Sequence, residues 1–168
     1  YEIISSSHLF VILIVGGVAS LISRRHKIPF LYTILKFFER PKEIEFFPGK
    51  GSFFLVLGSL ITTVLFPKDI ALAAITIMAV GDALTTLIGT YFGKMKNPLN
   101  PTKHLEGTMV AIICSTIAAF TFVSFEKAFL GSVVGMVFES ITIRFLNKAI
   151  DDNVLIPLIA GFAMLALS

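Results

Sequence analysis

Six apolar stretches run through this chain, at about residues 6–23, 52–67, 69–92, 107–125, 128–147 and 153–168, separated by short charged breaks. Crossing the hydrocarbon of a bilayer as helix takes roughly 20 apolar residues. In hydrocarbon every backbone amide must find an internal partner, so the stretches predict helices. Composition supports the same reading. Hydrophobic residues make up 55% and charged residues 15%, and the mean hydropathy is +0.89. Soluble domains carry about 25% charge. A water-soluble globular enzyme, a disordered tail and a collagen-like chain are therefore excluded. The expected fold is all-α: a polytopic integral membrane bundle of about six transmembrane helices, forming one transmembrane domain over residues 1–168.

Charge placement sets an orientation. Twelve of the 14 Lys and Arg residues fall in residues 24–50, in the 93–105 loop, or at Arg144 and Lys148, whereas the opposite side holds only Lys68 and Lys127. The Lys/Arg-rich side is expected to be cytoplasmic, in a cell membrane or endomembrane, with both ends of this chain facing outward. The net charge of +3 follows from these loops and implies no nucleic-acid partner. Residues 28–40 are too short to span. Thr33, Lys36 and Arg40 share one helical face and Leu31, Ile34, Leu35 and Phe38 another, which predicts an interfacial helix on the cytoplasmic leaflet. Tyr32 and Tyr91 are the candidate interface anchors. Cys114 is the single cysteine, so no intrachain disulfide forms. No cleavable leader is expected.

Carboxylates inside apolar runs are costly and point to function. Asp82 lies about ten residues from either end of the third stretch, preceded by Gly81 and followed at helical spacing by Thr85, Thr86 and Gly89. Small and polar neighbours on that face leave room for a ligand. Glu139 follows Gly131 and Gly135 at four-residue steps, a spacing that lets helices pack closely, within one bundle or between subunits of a homo-oligomer. Arg144 is five residues on and is expected to snorkel to the interface rather than pair with Glu139.

The 93–108 segment carries Lys94, Lys96 and Lys103 with Pro98 and Pro101, and Glu106-Gly107-Thr108 opens the fourth helix. Lysine serves as a point charge for phosphate, and a helix N-terminus offers amides to an anion. Lys96 reads as an ordinary positive loop residue, and His104 has no metal-ligand spacing. Pro48-Gly49-Lys50-Gly51 sits at the mouth of the second stretch, where two glycines allow close backbone approach. Asp151-Asp152-Asn153 stands on the same side; adjacent acids cap helices or hold Mg²⁺, and capping is the commoner use. Carboxylates with lysines on one face suit a metal-bound polyphosphate.

These pieces resemble the CTP-dependent lipid kinases, the family of dolichol kinase, phytol kinase and yeast-type diacylglycerol kinase. The resemblance rests on Pro48-Gly49-Lys50-Gly51, Gly81-Asp82-Ala83, Gly93-Lys94, Lys103-x-Leu105-Glu106-Gly107-Thr108, Glu139, and Asp151-Asp152-Asn153 followed by Pro157, in order over about two thirds of the chain. It implies CTP as phosphoryl donor, Mg²⁺, and a membrane lipid alcohol (a polyprenol, a phytol-like isoprenoid or a diacylglycerol) as acceptor. On that footing Asp82, Glu139 and Glu106 are the catalytic candidates. Gly49, Lys50, Gly51, Lys94, Lys103, Gly107 and Thr108 are candidates for nucleotide phosphates. Asp82, Glu139, Asp151, Asp152 and Asn153 are candidates for the metal. The 81–108 region is also similar to phosphatidate cytidylyltransferases, whose further C-terminal signature is replaced here by Asp151-Asp152-Asn153. An ion- or proton-coupled transporter with Asp82 and Glu139 as relays is the third reading, disfavoured because the polar residues cluster on one side.

Overall fold

The computed structural model describes residues 6–25, 47–141, 144–145, 148–149 and 151–168. The interfacial helix expected at 28–40 and the side chains of Arg144 and Lys148 lie outside the described residues. Six helices are present among them: α1 (Ser6–Arg25), α2 (Lys50–Leu65), α3 (Lys68–Phe92), α4 (Leu105–Ala119), α5 (Phe125–Glu139) and α6 (Asp152–Leu165). The protein is thus mostly helical, with helices at all six apolar stretches. Two of them, Ser6–Ser23 within α1 and Lys68–Phe92, are long and apolar enough to cross a membrane. α2, α4 and α6 are apolar but shorter.

Two small antiparallel pairs interrupt the helices. β1 (Lys96–Asn97) pairs with β2 (Asn100–His104), and β3 (Arg144–Phe145) with β4 (Lys148–Ala149). The second pair corrects the fifth apolar stretch. The helix expected over 128–147 ends at Glu139, because the next amides turn to closer carbonyls: Ser140 N–H donates to Val137 O at 3.1 Å and Ile141 N–H to Phe138 O at 2.9 Å. Such tightening closes a helix end. Fifteen residues give α5 a length of roughly 22 Å.

The chain divides into two compact units, Tyr1–Leu60 and Ile61–Ser168. In the first, Gly49 takes a left-handed φ of 79° and turns the chain into α2. Beside it Phe54 packs edge to face with Phe47 and Phe53, which are tilted to one another, and Lys50 Nζ lies 5.9 Å above the Phe54 ring.

In the second unit α3 is the central helix and packs on α4, α5 and α6. Its buried face is Ile70, Ala73, Ala74, Ile77 and Met78. Gly131 and Gly135 of α5 receive Ile77 of α3 and Met164, Ala160 and Ile156 of α6, so this glycine pair packs within the bundle. Phe66 lies across Gly161, edge-on to Phe162. The core is rich in Ala, Ser and Met, whereas Met109, Ile113, Ile117 and Phe120 line the outside of α4 at close to helical steps. Small residues inside and large apolar ones outside is the arrangement that close helix packing in lipid favours. A water-facing surface rarely carries such a stripe.

Candidate active site at the hairpin end of the bundle

The β1–β2 hairpin is built from two Asn-Pro units. Asn97 Oδ1 accepts from the Leu99 amide at 2.9 Å, and Asn100 Oδ1 accepts from the Thr102 amide at 3.1 Å and its hydroxyl at 2.7 Å. Each is an Asx-turn over a proline, which shapes the loop without external contacts. The hairpin closes on α4: Leu105 N–H donates to Met95 O at 3.0 Å. Glu106 Oε1 accepts from the Lys94 and Met95 amides, both at 3.0 Å. Glu106 stands ahead of the apolar part of α4. Its own amide, with those of Met95 and Lys94, holds the carboxyl below its ordinary pKa.

Lys103, near the end of β2, reaches the end of α5. Its Nζ donates to both Glu139 O and Glu139 Oε1, each at 2.6 Å, and lies 3.6 Å from Asp152 Oδ2 at the start of α6. A carboxylate at a helix C-terminus is unfavourable on its own. The ammonium offsets it and satisfies a terminal carbonyl as well. Thr85 Oγ1, from α3, lies 3.2 Å from Glu139 Oε1 and 3.0 Å from the Asp82 carbonyl. Glu139 Oε2 is buried and has no hydrogen-bond partner. Asp82 is half-buried one turn before Thr85, within electrostatic reach of Lys103, Asp152 and Asp151. No hydrogen bond to its carboxylate forms among the described residues. Asp151 caps α6, its Oδ1 accepting from the Asn153 amide at 3.2 Å and side chain at 3.0 Å. Pro157 has no amide hydrogen to return to the Asn153 carbonyl four residues back.

Asp82, Lys103, Glu139, Asp151 and Asp152 therefore converge, drawn from α3, β2, α5 and the start of α6. Three other candidates in the second unit, Lys94, Gly107 and Thr108, have different contacts. The Lys94 side chain is exposed, and its backbone serves the Glu106 clamp. Gly107 is pressed on α3, where an added Cβ would stand 2.7 Å from Thr85 O. Thr108 is buried, with Asn97 Nδ2 at 3.3 Å. Gly49, Lys50 and Gly51 belong to the first unit. Sequence reasoning gave no role to Asn97 or Ser140, whose side chains join at 2.8 Å beneath the cluster. The signal available was a polar residue before proline, which reads as a turn.

No group of three or more His, Cys, Asp or Glu side chains stands at metal-binding distance among the described residues. Nothing there forms a cage for a resident cation. Mg²⁺ arriving with a polyphosphate needs only one or two carboxylates from the protein. The unpartnered Glu139 Oε2 and the Asp82 carboxylate fit that smaller demand.

The chain is 30% identical over 157 residues to the uncharacterized protein MJ1137 of Methanocaldococcus jannaschii, covering 92% of this chain and 76% of that one. It is 26% identical over 117 residues to an uncharacterized protein of Rickettsia prowazekii, covering 55% of its length. It is 29% identical over 126 residues to phytol kinase 1, chloroplastic, of Arabidopsis thaliana, covering 65% of this chain and 40% of the plant protein. No family model matches the chain. No solved structure matches it.

Proposed function

The chain belongs to one family with the Methanocaldococcus jannaschii protein, and from that premise we propose that it is a membrane-embedded kinase that transfers the γ-phosphate of CTP to a lipid alcohol. The observation that carries the proposal is Lys103, bonded to Glu139 and beside Asp152, with Asp82 within electrostatic reach at the same end of the bundle. The distant likeness to a phytol kinase supports the same class of reaction. The acceptor is a neutral alcohol with an apolar tail: a phytol-like isoprenoid, a polyprenol or a diacylglycerol.

In this reading the site faces the cytoplasm, where the nucleotide is, and opens sideways to the bilayer, where the lipid is. Lys103 exchanges a carboxylate partner for a phosphate oxygen when the triphosphate enters. Asp82 and the free oxygen of Glu139 would hold nucleotide-bound Mg²⁺, and one of these two carboxylates takes the hydroxyl proton. When bound, Mg²⁺ offsets charge on the transferring phosphoryl group. The lipid oxygen bonds to the γ-phosphorus, the bond to the β-phosphate oxygen breaks, and CDP leaves. The acidic character of the buried groups favours a neutral acceptor over a lipid phosphate, which would need a second cationic cradle.

Product analysis separates this reading from its neighbour. With CTP, Mg²⁺ and a lipid alcohol, the kinase releases CDP. Pyrophosphate release that depends on a phosphorylated lipid would establish a cytidylyltransferase instead.

A further inference from the structure

Asn97 is 3% exposed, and each polar atom of its side chain is bonded. Oδ1 accepts from the Leu99 amide at 2.9 Å, while Nδ2 donates to Ser140 Oγ at 2.8 Å and to Thr108 Oγ1 at 3.3 Å. The Leu99 amide can only donate, so it fixes which end of the carboxamide is oxygen. The two hydroxyls are 3.4 Å apart, and each reaches a carbonyl of its own surroundings, Thr108 that of His104 at 3.4 Å and Ser140 that of Met136 at 3.2 Å. One side chain thus ties the hairpin to the first turn of α4 and to the end of α5. Ser140 is the neighbour of Glu139. β1, which carries Asn97, pairs with β2, which carries Lys103.

We infer that Asn97 is a positioning residue, whose carboxamide holds the hairpin and the end of α5 in the register at which Lys103 meets Glu139. Its catalytic consequence rests on the kinase reading; the geometry does not. The Asx-turn alone needs only an oxygen, which aspartate supplies equally well. With their protons given to the Met136 and His104 carbonyls, the two hydroxyls turn lone pairs to Nδ2, and a carboxylate has no proton to offer them.

The test uses the full chain in detergent with two variants. Asn97→Asp keeps the turn and loses both donors; Ser140→Ala keeps Asn97 and loses its nearer acceptor. The readout is the rate at which an amine-reactive ester modifies Lys103, followed by peptide mass spectrometry with exposed Lys68 as reference. Lys103 is expected to react roughly tenfold faster in Asn97→Asp, and by a smaller factor in Ser140→Ala, while Lys68 is unchanged. In an active parent protein kcat falls by a similar factor with the KM for lipid unchanged. Equal Lys103 rates in all three proteins overturn the inference, whether or not the parent transfers phosphate. Unchanged kcat in variants of an active parent overturns it too. Faster Lys103 modification alongside an inactive parent upholds the positioning geometry and removes the kinase reading.

Discussion

Lys103 meets a backbone carbonyl and one carboxylate oxygen of Glu139 and stands beside Asp152, and the chemistry of the cluster follows from what that leaves open. Glu139 Oε2 and the Asp82 carboxylate remain for a ligand. Asp82→Asn preserves volume and removes the charge, so transfer is expected to fall at least about 100-fold while the protein still inserts and purifies. Near-normal turnover in that variant, measured by product formation, would take Asp82 out of the mechanism. Glu106 has a different task. Its pKa is lowered, so its contribution to stability is complete above the ordinary carboxylate pKa and is lost as pH falls through the lowered value. Glu106→Gln is therefore expected to lower Tm at pH 7, and the gap from the parent should close at strongly acidic pH. A gap that persists there contradicts the charged clamp. Asp82 and Glu139 were legible in the sequence because charge within apolar runs is rare. The partnership of Glu139 with Thr85 and Lys103 was not, since spacing along one helix says nothing about what meets it across the bundle.

At the scale of elements, hydropathy alone misplaced the end of α5. The apolar character of Ile141 to Phe145 continues the pattern, but the backbone closes at Glu139 and sets that carboxylate at a helix end. The hairpin leaves no hydropathy signal for a related reason. Asn100–His104 has no alternation of apolar and polar residues, and its form comes from Asx-turns and from pairing with Lys96–Asn97. The helices themselves were readable because each apolar stretch is long and bounded by charge. Two glycines on these helices make a contrasting pair. A Cβ at Gly107 would meet backbone, Thr85 O at 2.7 Å, whereas one at Gly81 would meet the flexible thioether end of Met136. Gly107→Ala is expected to cost about 1–3 kcal/mol by forcing α3 and α4 apart. Gly81→Ala should be nearly neutral, since a methionine can move aside and alanine favours helix. Thermal denaturation in detergent compares the two, and equal losses would contradict the close α3–α4 contact.

For the whole molecule, the small-residue interior and apolar exterior of the second unit fit a bilayer, and the candidate site residues of that unit gather towards the hairpin. Lys103 on the hairpin lies 3.6 Å from Asp152, so the 93–105 and 151–153 segments meet at the same end of the bundle. Single cysteines placed in each are expected to react with an impermeant thiol reagent from the cytoplasmic side only, as the Lys/Arg distribution requires. Labelling of the two segments from opposite sides would break the site apart. Phosphoryl transfer from CTP to a neutral lipid is the proposed reaction. Its most direct measurement gives the purified full chain γ-labelled CTP, Mg²⁺ and a panel of long-chain isoprenoid alcohols and diacylglycerols, with Asp82→Asn in parallel. Label is expected in the organic phase with at least one alcohol, with an equal amount of CDP and no label with Asp82→Asn. Absence of γ-label from the lipid, with pyrophosphate appearing only when a phosphorylated lipid is supplied, would contradict it.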